Sequence, residues 1–272
     1  MERTGGEIMI GAIIGDITGS VYEWNSVKTT DFELFSDQSD FTDDTVLTIA
    51  TADALLHNVS YEDAYNQWGR QYFNAGYGHG FLEWIRASTK KPYNSFGNGS
   101  AMRVSPVGWM FDTVEDTLSA AKATAICTHN HPDGIAGAQS VAAAIFLART
   151  GSDKKAIKSF ITERFHYNLD RTIDEIRPEY EFDATCPGSV PEAMIAFLES
   201  TDYESAIRLA ISLGGDSDTQ ACIAGSIAEA FYQHIPEDFI TKARKILEPP
   251  MIEILDEFET KLTCLIGYSR ST

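Results

Sequence analysis

Apolar residues recur at spacings of three and four along most of the chain, a pattern typical of amphipathic helices. In the stretch that follows Pro132, the residues Ile135, Ala138, Ala142 and Ile145 fall on one helical stripe. Runs that alternate apolar and polar residues, the pattern of a half-buried strand, are hard to find. The periodicity therefore predicts a mainly α-helical protein.

Helix starts are marked by short polar residues, often with an acid three positions later, because these side chains accept hydrogen bonds from the free N–H groups of the first turn. A proline at the first helical position is a further start signal. Such signals occur at Ser60-x-x-Asp63, Thr113-x-x-Asp116, Asn130-His131-Pro132, Ser189-x-x-Glu192 and Thr201-x-x-Glu204. Each of them predicts a helix N-terminus.

Three other segments complete this outline. Small residues at 136–143 and 221–228 predict two central helices that approach their neighbours closely. The apolar run at 8–14 is too short to span a bilayer and predicts a buried first helix. The acidic stretch 165–187 has no clear period, which predicts a long surface connection and a candidate cover for a site.

Composition and charge limit the classes of protein to which this chain can belong. The 272 residues, 43% hydrophobic and 22% charged, predict a single domain over residues 1–272. Four scattered cysteines without C-x-x-C spacing, and no evident secretory signal, predict reduced thiols and a cytoplasmic protein. The formal charge of −19 and the pI near 4.6 argue against bulk nucleic-acid binding, which relies on basic surface. No segment indicates a membrane partner, and no pattern indicates the oligomeric state.

The first candidate for chemistry is the junction at 214–220. Gly214 and Gly215 can end one helix, while Asp216, Ser217 and Asp218 can cap the next by accepting hydrogen bonds from its free N–H groups. The same carboxylates can bind a metal ion. Taken alone, the junction fits both interpretations.

A second carboxylate-rich helix start, which includes Asp43 and Asp44, stands before the apolar positions of the next helix. If it converges with Asp216 and Asp218, the four carboxylates repel one another and raise their pKa values unless cations are present. Oxygen-only ligands suit Mg²⁺ or Mn²⁺ and argue against zinc, and this many carboxylates are compatible with two ions about 3.5–4 Å apart. The alternative is two unrelated capped helices.

Other polar stretches are ambiguous by themselves. The Gly-rich stretch 94–100 fits a phosphate-binding loop or an ordinary turn. The stretch 128–132 contains His129 and His131, which fit either a shared cavity or helix capping. Spacing says nothing about Glu23, whose default interpretation is surface exposure.

Taken in order, these blocks resemble the ADP-ribosylglycohydrolase family over nearly the whole chain. The resemblance rests on Gly15-Asp16…Gly19-Ser20…Glu23, Thr42-Asp43-Asp44-Thr45, Gly97-Asn98-Gly99-x-Ala101-Met102-Arg103, Thr128-His129 and Gly214-Gly215-Asp216-Ser217-Asp218-Thr219. The paired aspartate blocks are its specific part.

The resemblance implies an all-α fold, a single compact multi-helix orthogonal bundle, with a binuclear Mg²⁺ or Mn²⁺ centre. The implied metal ligands are Thr42, Asp43, Asp44, Asp216, Asp218 and Thr219. The residues expected to contact the substrate are Ser95, Gly97, Asn98, Gly99 and His129. The resemblance also makes Glu23 a candidate acid or base near the scissile bond, because its Gly-Ser-x-Tyr-Glu context is similar to the branch of the family that acts on serine-linked ADP-ribose. Asp44 and Asp218 are further candidate catalytic residues.

The expected function is metal-dependent hydrolysis that removes ADP-ribose from a modified acceptor, either a protein side chain or a related compound. Two alternatives are a metal-dependent nucleotide phosphoesterase and a protein that binds ADP-ribose without catalysis. No motif indicates whether the acceptor is arginine, serine, a nucleic-acid end or a small metabolite.

Overall fold

The structure, a computed structural model, describes residues 8–268, with side chains described as far as residue 264. Helices account for the regular structure of this range, which contains no strand, and Gly97 and Thr185 form an isolated antiparallel bridge. The predicted all-α fold is confirmed. The fifteen helices of the range are α1 (Ile10–Gly19), α2 (Asp43–His57), α3 (Tyr61–Gln71), α4 (His79–Arg86), α5 (Gly99–Met102), α6 (Ser105–Met110), α7 (Val114–Ile126), α8 (Pro132–Arg149), α9 (Lys154–Phe165), α10 (Ile173–Ile176), α11 (Cys186–Glu199), α12 (Tyr203–Ile211), α13 (Ser217–Tyr232), α14 (Glu237–Ile246) and α15 (Pro249–Tyr268).

Helix α13 lies at the centre of the packing. Every residue from 217 to 230 is buried, and the helix contacts α1, α8, α11 and α12. Helix α8 is buried along most of its length and packs on α7, α6 and α13. Both predictions of central helices from small-residue stretches are therefore confirmed.

The most extensive contact between two helices joins α1 to α13, and it is made backbone to backbone. Gly11, Gly15 and Gly19 form a stripe at four-residue spacing on α1. A Cβ atom at Gly19 would lie 2.5 Å from the Asp218 Cα, and one at Gly15 would overlap the Ala221 carbonyl group. Only glycine permits this approach. Sequence analysis predicted a buried first helix but did not identify the stripe.

Three of the predicted helix starts are confirmed. Ser60 accepts a hydrogen bond from the Asp63 N–H (3.1 Å), and Thr113 accepts one from the Asp116 N–H (3.1 Å). His131 caps α8 ahead of Pro132 at the first helical position. Each of these capping hydrogen bonds joins residues within four positions of each other in the sequence. Tertiary packing therefore did not shift these helix starts.

Two predicted starts were wrong in position. Helix α11 begins at Cys186, because Thr185 accepts a hydrogen bond from the Gly188 N–H (3.1 Å) and Pro187 follows in the first turn. Ser189 lies inside that helix and donates to the Thr185 carbonyl oxygen (2.7 Å).

Helix α12 begins one residue later than the Thr201 signal predicts. Asp202 is the N-cap, and its carboxylate accepts from the Ser205 N–H (2.7 Å) in a reciprocal capping box. A stronger capping residue, Asp202, therefore stands next to the predicted one.

The stretch 165–187 is a surface connection, as predicted, but it also contains the short helix α10 with a capping box of Thr172 and Glu175. Its later part, at Phe182 and Ala184, lines a cavity of about 480 Å³. Within residues 8–268, no helix combines the length and apolar character needed to cross a membrane.

We expect Gly15→Ala to lower the free energy of unfolding by about 1–3 kcal/mol, because the added methyl group separates α1 from α13. Denaturant titration measures this change. Gly78→Ala is the matched control, since a Cβ atom at Gly78 meets no atom within 4 Å. Equal stability of the two variants would contradict the proposed backbone contact.

Candidate metal centre and active site

Two helix N-termini, those of α2 and α13, meet at the site. Thr42 caps α2 and accepts a hydrogen bond from the Asp44 N–H (3.3 Å). The Thr219 hydroxyl, in the first turn of α13, donates to Asp44 Oδ2 (3.2 Å) across a sequence separation of 175 residues. The structure thus brings the two aspartate blocks together. Carboxylates are favoured at this place because the N-terminus of each helix carries partial positive charge.

Asp216 stands at the N-cap position of α13, but its side chain caps no N–H group. Its Oδ2 atom accepts a hydrogen bond from Asn98 Nδ2 (2.7 Å). Asp218 Oδ1 accepts from the Thr219 N–H (2.9 Å). The capping interpretation of this junction is therefore wrong for Asp216, whose carboxylate lines a cavity instead.

Asp16, in α1, is a part of the site that sequence analysis quoted in a motif but did not place among the site residues. Its buried carboxylate accepts hydrogen bonds from the Thr42 N–H (2.9 Å), the Thr42 hydroxyl (2.7 Å), the Thr45 N–H (3.0 Å) and the Thr45 hydroxyl. These bonds attach the start of α2 to α1 and orient Thr42. In the sequence, a single acidic residue within an otherwise apolar predicted helix could have indicated this role, because a buried charge needs hydrogen-bond partners.

Carboxylate oxygens of Asp16, Asp44 and Asp218 lie within 4.8 Å of one another, and those of Glu23, Asp216 and Asp218 do so as well. Burial raises the pKa of Asp44 and Asp218 well above the usual range, and neighbouring carboxylates raise both further. Burial also raises the pKa of Asp216 to about 6, against the lowering effect of hydrogen bonds. The cluster is therefore unfavourable in its fully ionised form without cations.

The donor set fits a hard divalent cation. Asp44 Oδ1 is buried and has no hydrogen-bond partner among the described residues. An orphaned carboxylate oxygen at this depth is costly unless another group, such as a metal ion, satisfies it. Oxygen atoms from carboxylates and from the Thr219 hydroxyl are the ligands that Mg²⁺ and Mn²⁺ prefer.

The cluster lies in a cavity of about 480 Å³. Ten of the residues predicted for the site line it: Glu23, Asp43, Asp44, Gly97, Asn98, Gly99, His129, Asp216, Asp218 and Thr219. Thr42 and Ser95 do not. Thr42 lies behind Asp44, with its hydroxyl 3.4 Å from Asp44 Oδ2, and the Ser95 hydroxyl accepts a hydrogen bond from the Gly97 N–H (3.1 Å).

The Gly-rich stretch is fixed to the connection before α11. The Asn98 N–H donates to the Ala184 carbonyl oxygen (2.8 Å), and the Cys186 N–H donates to the Phe96 carbonyl oxygen (2.8 Å). The Asn98 side chain donates to Ser189 (3.1 Å) and to Asp216. Asn98 therefore orients a candidate metal ligand, a role that the sequence did not indicate.

Glu23 follows α1 and is half-buried at the edge of the cavity. Burial and, to a smaller extent, the Asp218 carboxylate together raise its pKa to about 7, against the lowering effect of the Trp24 side chain. A carboxyl with this pKa exchanges a proton near neutral pH, as a general acid or base must. The surface interpretation of Glu23 is therefore wrong.

The profile of the family described as ADP-ribosylglycohydrolase matches residues 6–263. The chain belongs to the ADP-ribosylglycohydrolase family. It is 26% identical to ADP-ribosylhydrolase ARH3 of Mus musculus, with 85% of each chain covered. It is 24% identical to ADP-ribosylarginine hydrolase Tri1 of Pseudomonas putida, with 89% of this chain and 74% of that one covered. A solved ADP-ribosylglycohydrolase-related protein complex has a similar fold, with a TM-score of 0.72, 25% identity, and coverage of 92% and 94% of the two chains.

The resemblance inferred from the motifs is confirmed, and the protein is a glycohydrolase that removes ADP-ribose. This ADP-ribosylglycohydrolase has carboxylate groups that could hold metal ions, in keeping with a metal-dependent family. His129 also lines this cavity.

His129 is a neutral hydrogen-bond donor in this glycohydrolase. Burial lowers its pKa well below the usual range, and the Arg103 guanidinium lowers it further. Thr128 Oγ1 accepts from Arg103 Nη2 (2.8 Å) and lies 2.7 Å from His129 Nδ1, whereas the Ala125 carbonyl oxygen is 3.5 Å away. This arrangement favours donation of the Thr128 proton to His129 Nδ1, with the proton of the ring on Nε2.

The Nε2 atom of His129 points at the Gly-rich stretch. A Cβ atom at Gly99 would lie 3.4 Å from Nε2, and one at Gly97 would lie 3.6 Å from it. The two glycines thus leave the N–H group uncovered at the cavity wall. Arg103, which sequence analysis quoted only in a motif, fixes this arrangement through Thr128.

The raised pKa values predict a pH-dependent stability for the metal-free glycohydrolase. Asp216 has a folded pKa of about 6 against an ordinary 3.8, so its stabilising contribution is present below the unfolded pKa and is lost as the pH rises through 6. In EDTA, we expect the free energy of unfolding of the wild type to fall, relative to Asp216→Asn, as the pH rises from about 4 to about 6. Denaturant titrations measure it. A pH-independent difference would contradict the raised pKa.

The Thr128→Val substitution removes the hydroxyl that fixes the His129 tautomer. We expect ¹⁵N NMR to show a change in the populations of the two imidazole tautomers, and calorimetry to show ADP-ribose affinity reduced by up to about tenfold, the free energy of one hydrogen bond. Thr128→Ser keeps the hydroxyl and serves as the control. An unchanged tautomer in Thr128→Val would show that Thr128 has no such role.

Proposed function

We propose that the protein is a metal-dependent hydrolase that releases ADP-ribose from a modified acceptor by means of a binuclear Mg²⁺ or Mn²⁺ centre. The observation that carries the proposal is that two groups of carboxylates, one with Asp16 and Asp44 and one with Glu23 and Asp216, share Asp218. All of these residues except Asp16 line one cavity. The residues that would hold the ions are Thr42, Asp43, Asp44, Asp216, Asp218 and Thr219. Bound there, the ions would act as Lewis acids toward hydroxyl or phosphate oxygens and would lower the pKa of a water molecule.

The side chains of the cavity have different proposed roles in the reaction. Glu23, with a pKa of about 7, is the candidate for moving the proton at the scissile bond. Asp44 and Asp218 supply negative charge beside an oxocarbenium-like transition state. The Nε2–H group of His129 and the backbone of Gly97 and Gly99, which line the same cavity, would contact the diphosphate or ribose of the substrate.

Two proteins similar to this chain are named for ADP-ribose hydrolysis, one of them with arginine as the acceptor. We propose the same bond class here, the bond between the ribose and its acceptor. A nucleotide phosphoesterase would yield AMP or phosphate, so the identity of the product separates the two activities. Binding of ADP-ribose without turnover in saturating Mg²⁺ or Mn²⁺ would indicate a non-catalytic protein instead.

We expect Asp44→Asn and Asp218→Asn each to lose metal binding and to reduce ADP-ribose release by at least about a thousandfold, because each removes a ligand and a charge that stabilises the transition state. Metal binding is measured by calorimetry, release by chromatography of the product, and the fold by circular dichroism. Asp112→Asn, a change at an exposed position outside the cavity, is the control. Release of ADP-ribose at the wild-type rate by Asp44→Asn or Asp218→Asn would rule out the proposed centre.

A further inference from the structure

The turn before α13 contains the candidate metal ligand Asp216 and lacks a side-chain cap. Gly214 adopts the left-handed conformation (φ 67°), which glycine reaches without steric cost. Asp216 stands at the N-cap position, yet its side chain caps no N–H group. The direction of the Asp216 carboxylate is therefore set by neighbouring segments, of which Asn98 is one.

Tyr180 is a second neighbour of this turn. It lies in the connection before α11, and its ring packs on the backbone of Gly215. A Cβ atom at Gly215 would lie 2.3 Å from Tyr180 Cε1, a distance at which atoms overlap. The ring thus occupies the space that a larger residue at position 215 would need, and it limits the conformations open to the turn.

The Tyr180 hydroxyl joins the first turns of two helices. It donates to the Gly188 carbonyl oxygen in α11 (2.8 Å) and accepts from Gln220 Nε2 in α13 (2.8 Å). The Gln220 N–H group donates to the Asp216 carbonyl oxygen (2.9 Å). The Tyr180 side chain therefore contacts the residue before Asp216 and also holds the first turn of the helix that follows it.

Asn98 links the same two helices through its amide group. It donates to the Ser189 hydroxyl in α11 (3.1 Å) and to Asp216 Oδ2 (2.7 Å). Ser189 is the residue next to Gly188, the carbonyl partner of Tyr180. Asn98 thus orients the side chain of Asp216, whereas Tyr180 restrains the backbone on both sides of it.

The backbone of Tyr180 is held as well. The Lys28 ammonium donates to the carbonyl oxygens of Tyr180 (2.5 Å) and Leu213 (2.5 Å). Leu213 directly precedes Gly214, so one cation joins the turn to the segment that packs on it. Hydrogen bonds from a charged donor are stronger than those between neutral groups. The position of Tyr180 relative to the turn is therefore fixed through both its backbone and its side chain.

We propose that Tyr180 is a positioning residue of the metal centre, whose ring and hydroxyl hold the turn at Gly214 and Gly215 so that Asp216 can bind a divalent cation. The inference rests on the proposed function, because it takes Asp216 as a ligand of the proposed centre. Without Tyr180 the turn can adopt other conformations. Ordering the turn then costs part of the free energy of metal binding.

The test measures Mn²⁺ binding to the full chain without substrate. Electron paramagnetic resonance of the free ion gives the dissociation constant, and denaturant titration in EDTA gives the stability of the metal-free protein. The variants are Tyr180→Phe, Tyr180→Ala, Gly215→Ala and the double variant that combines Tyr180→Ala with Gly215→Ala. Tyr167→Phe is the control, because Tyr167 is a half-buried tyrosine of the same connection that does not line the active-site cavity.

We expect Tyr180→Ala and Gly215→Ala each to raise the Mn²⁺ dissociation constant by at least about tenfold, because the first frees the turn and the second pushes it off the ring. Tyr180→Phe keeps the ring and loses the hydroxyl, so an increase of about two- to fivefold is expected.

The double variant tests the contact itself. Without the Tyr180 ring, the methyl group at position 215 has room, so the double variant should bind Mn²⁺ within about twofold of Tyr180→Ala alone. Tyr167→Phe should bind Mn²⁺ within about twofold of wild type, since its hydroxyl lies away from the turn.

The outcomes separate this inference from the proposed function. Wild-type Mn²⁺ affinity in Tyr180→Ala, with only the metal-free stability lowered, would show a merely structural role and would overturn the inference alone. So would multiplicative effects of Tyr180→Ala and Gly215→Ala. Should Tyr180→Ala not fold, wild-type affinity in both Tyr180→Phe and Gly215→Ala would overturn the inference.

Release of ADP-ribose from an ADP-ribosylated peptide, measured in Mn²⁺ on the wild type, tests the hydrolase separately. Mn²⁺ binding that depends on Tyr180, without release, would overturn the hydrolase and support the inference. A wild type that binds no Mn²⁺ would overturn both the proposed centre and the role of Tyr180.

Discussion

The backbone contact between α1 and α13 is the constraint on which the site depends. Gly11, Gly15 and Gly19 allow the two helices to touch without intervening side chains, and this sets Asp16 beside Asp218. The same carboxylate of Asp16 holds the N-terminus of α2 through Thr42 and Thr45. This close contact between α1 and α13 thus positions the three helices α1, α2 and α13, and it brings both aspartate blocks together.

That arrangement concentrates buried carboxylates, which is unfavourable in itself because burial and mutual repulsion both disfavour the charged form. Neighbouring groups offset part of this free-energy cost. Two helix N-termini face the cluster, Asp16 receives four hydrogen bonds, and Asn98 donates to Asp216. Asp44 Oδ1 is left without a partner among the described residues. The residual charge and this free oxygen are what a divalent cation would satisfy, so the fold is arranged for a cation at the cost of its metal-free stability.

The two sides of the active site differ in charge and in rigidity. At the inner wall, the buried Arg103 guanidinium and Thr128 hold His129 as a neutral donor, which suits an anionic or hydroxylated ligand. At the edge of the cavity, Trp24 and Phe182 are exposed and belong to loops near carboxylates. In the proposed reaction, the residues that would contact the ADP-ribose thus belong to buried parts of the helical core.

The sequence by itself determined the helical class, the starts at Ser60, Thr113 and His131, and the two aspartate blocks with their preference for a hard cation. These follow from periodicity, from capping bonds that close within four residues, and from the chemistry of each side chain. Where two capping residues compete, as at Thr201 and Asp202, the local pattern was not sufficient. Only the tertiary structure decided that Asp216 turns to Asn98, 118 residues away, instead of capping its own helix. It likewise decided the roles of Asp16 and Arg103 and the contact of Tyr180 with Gly215, because each depends on a partner that packing brings from a distant part of the chain.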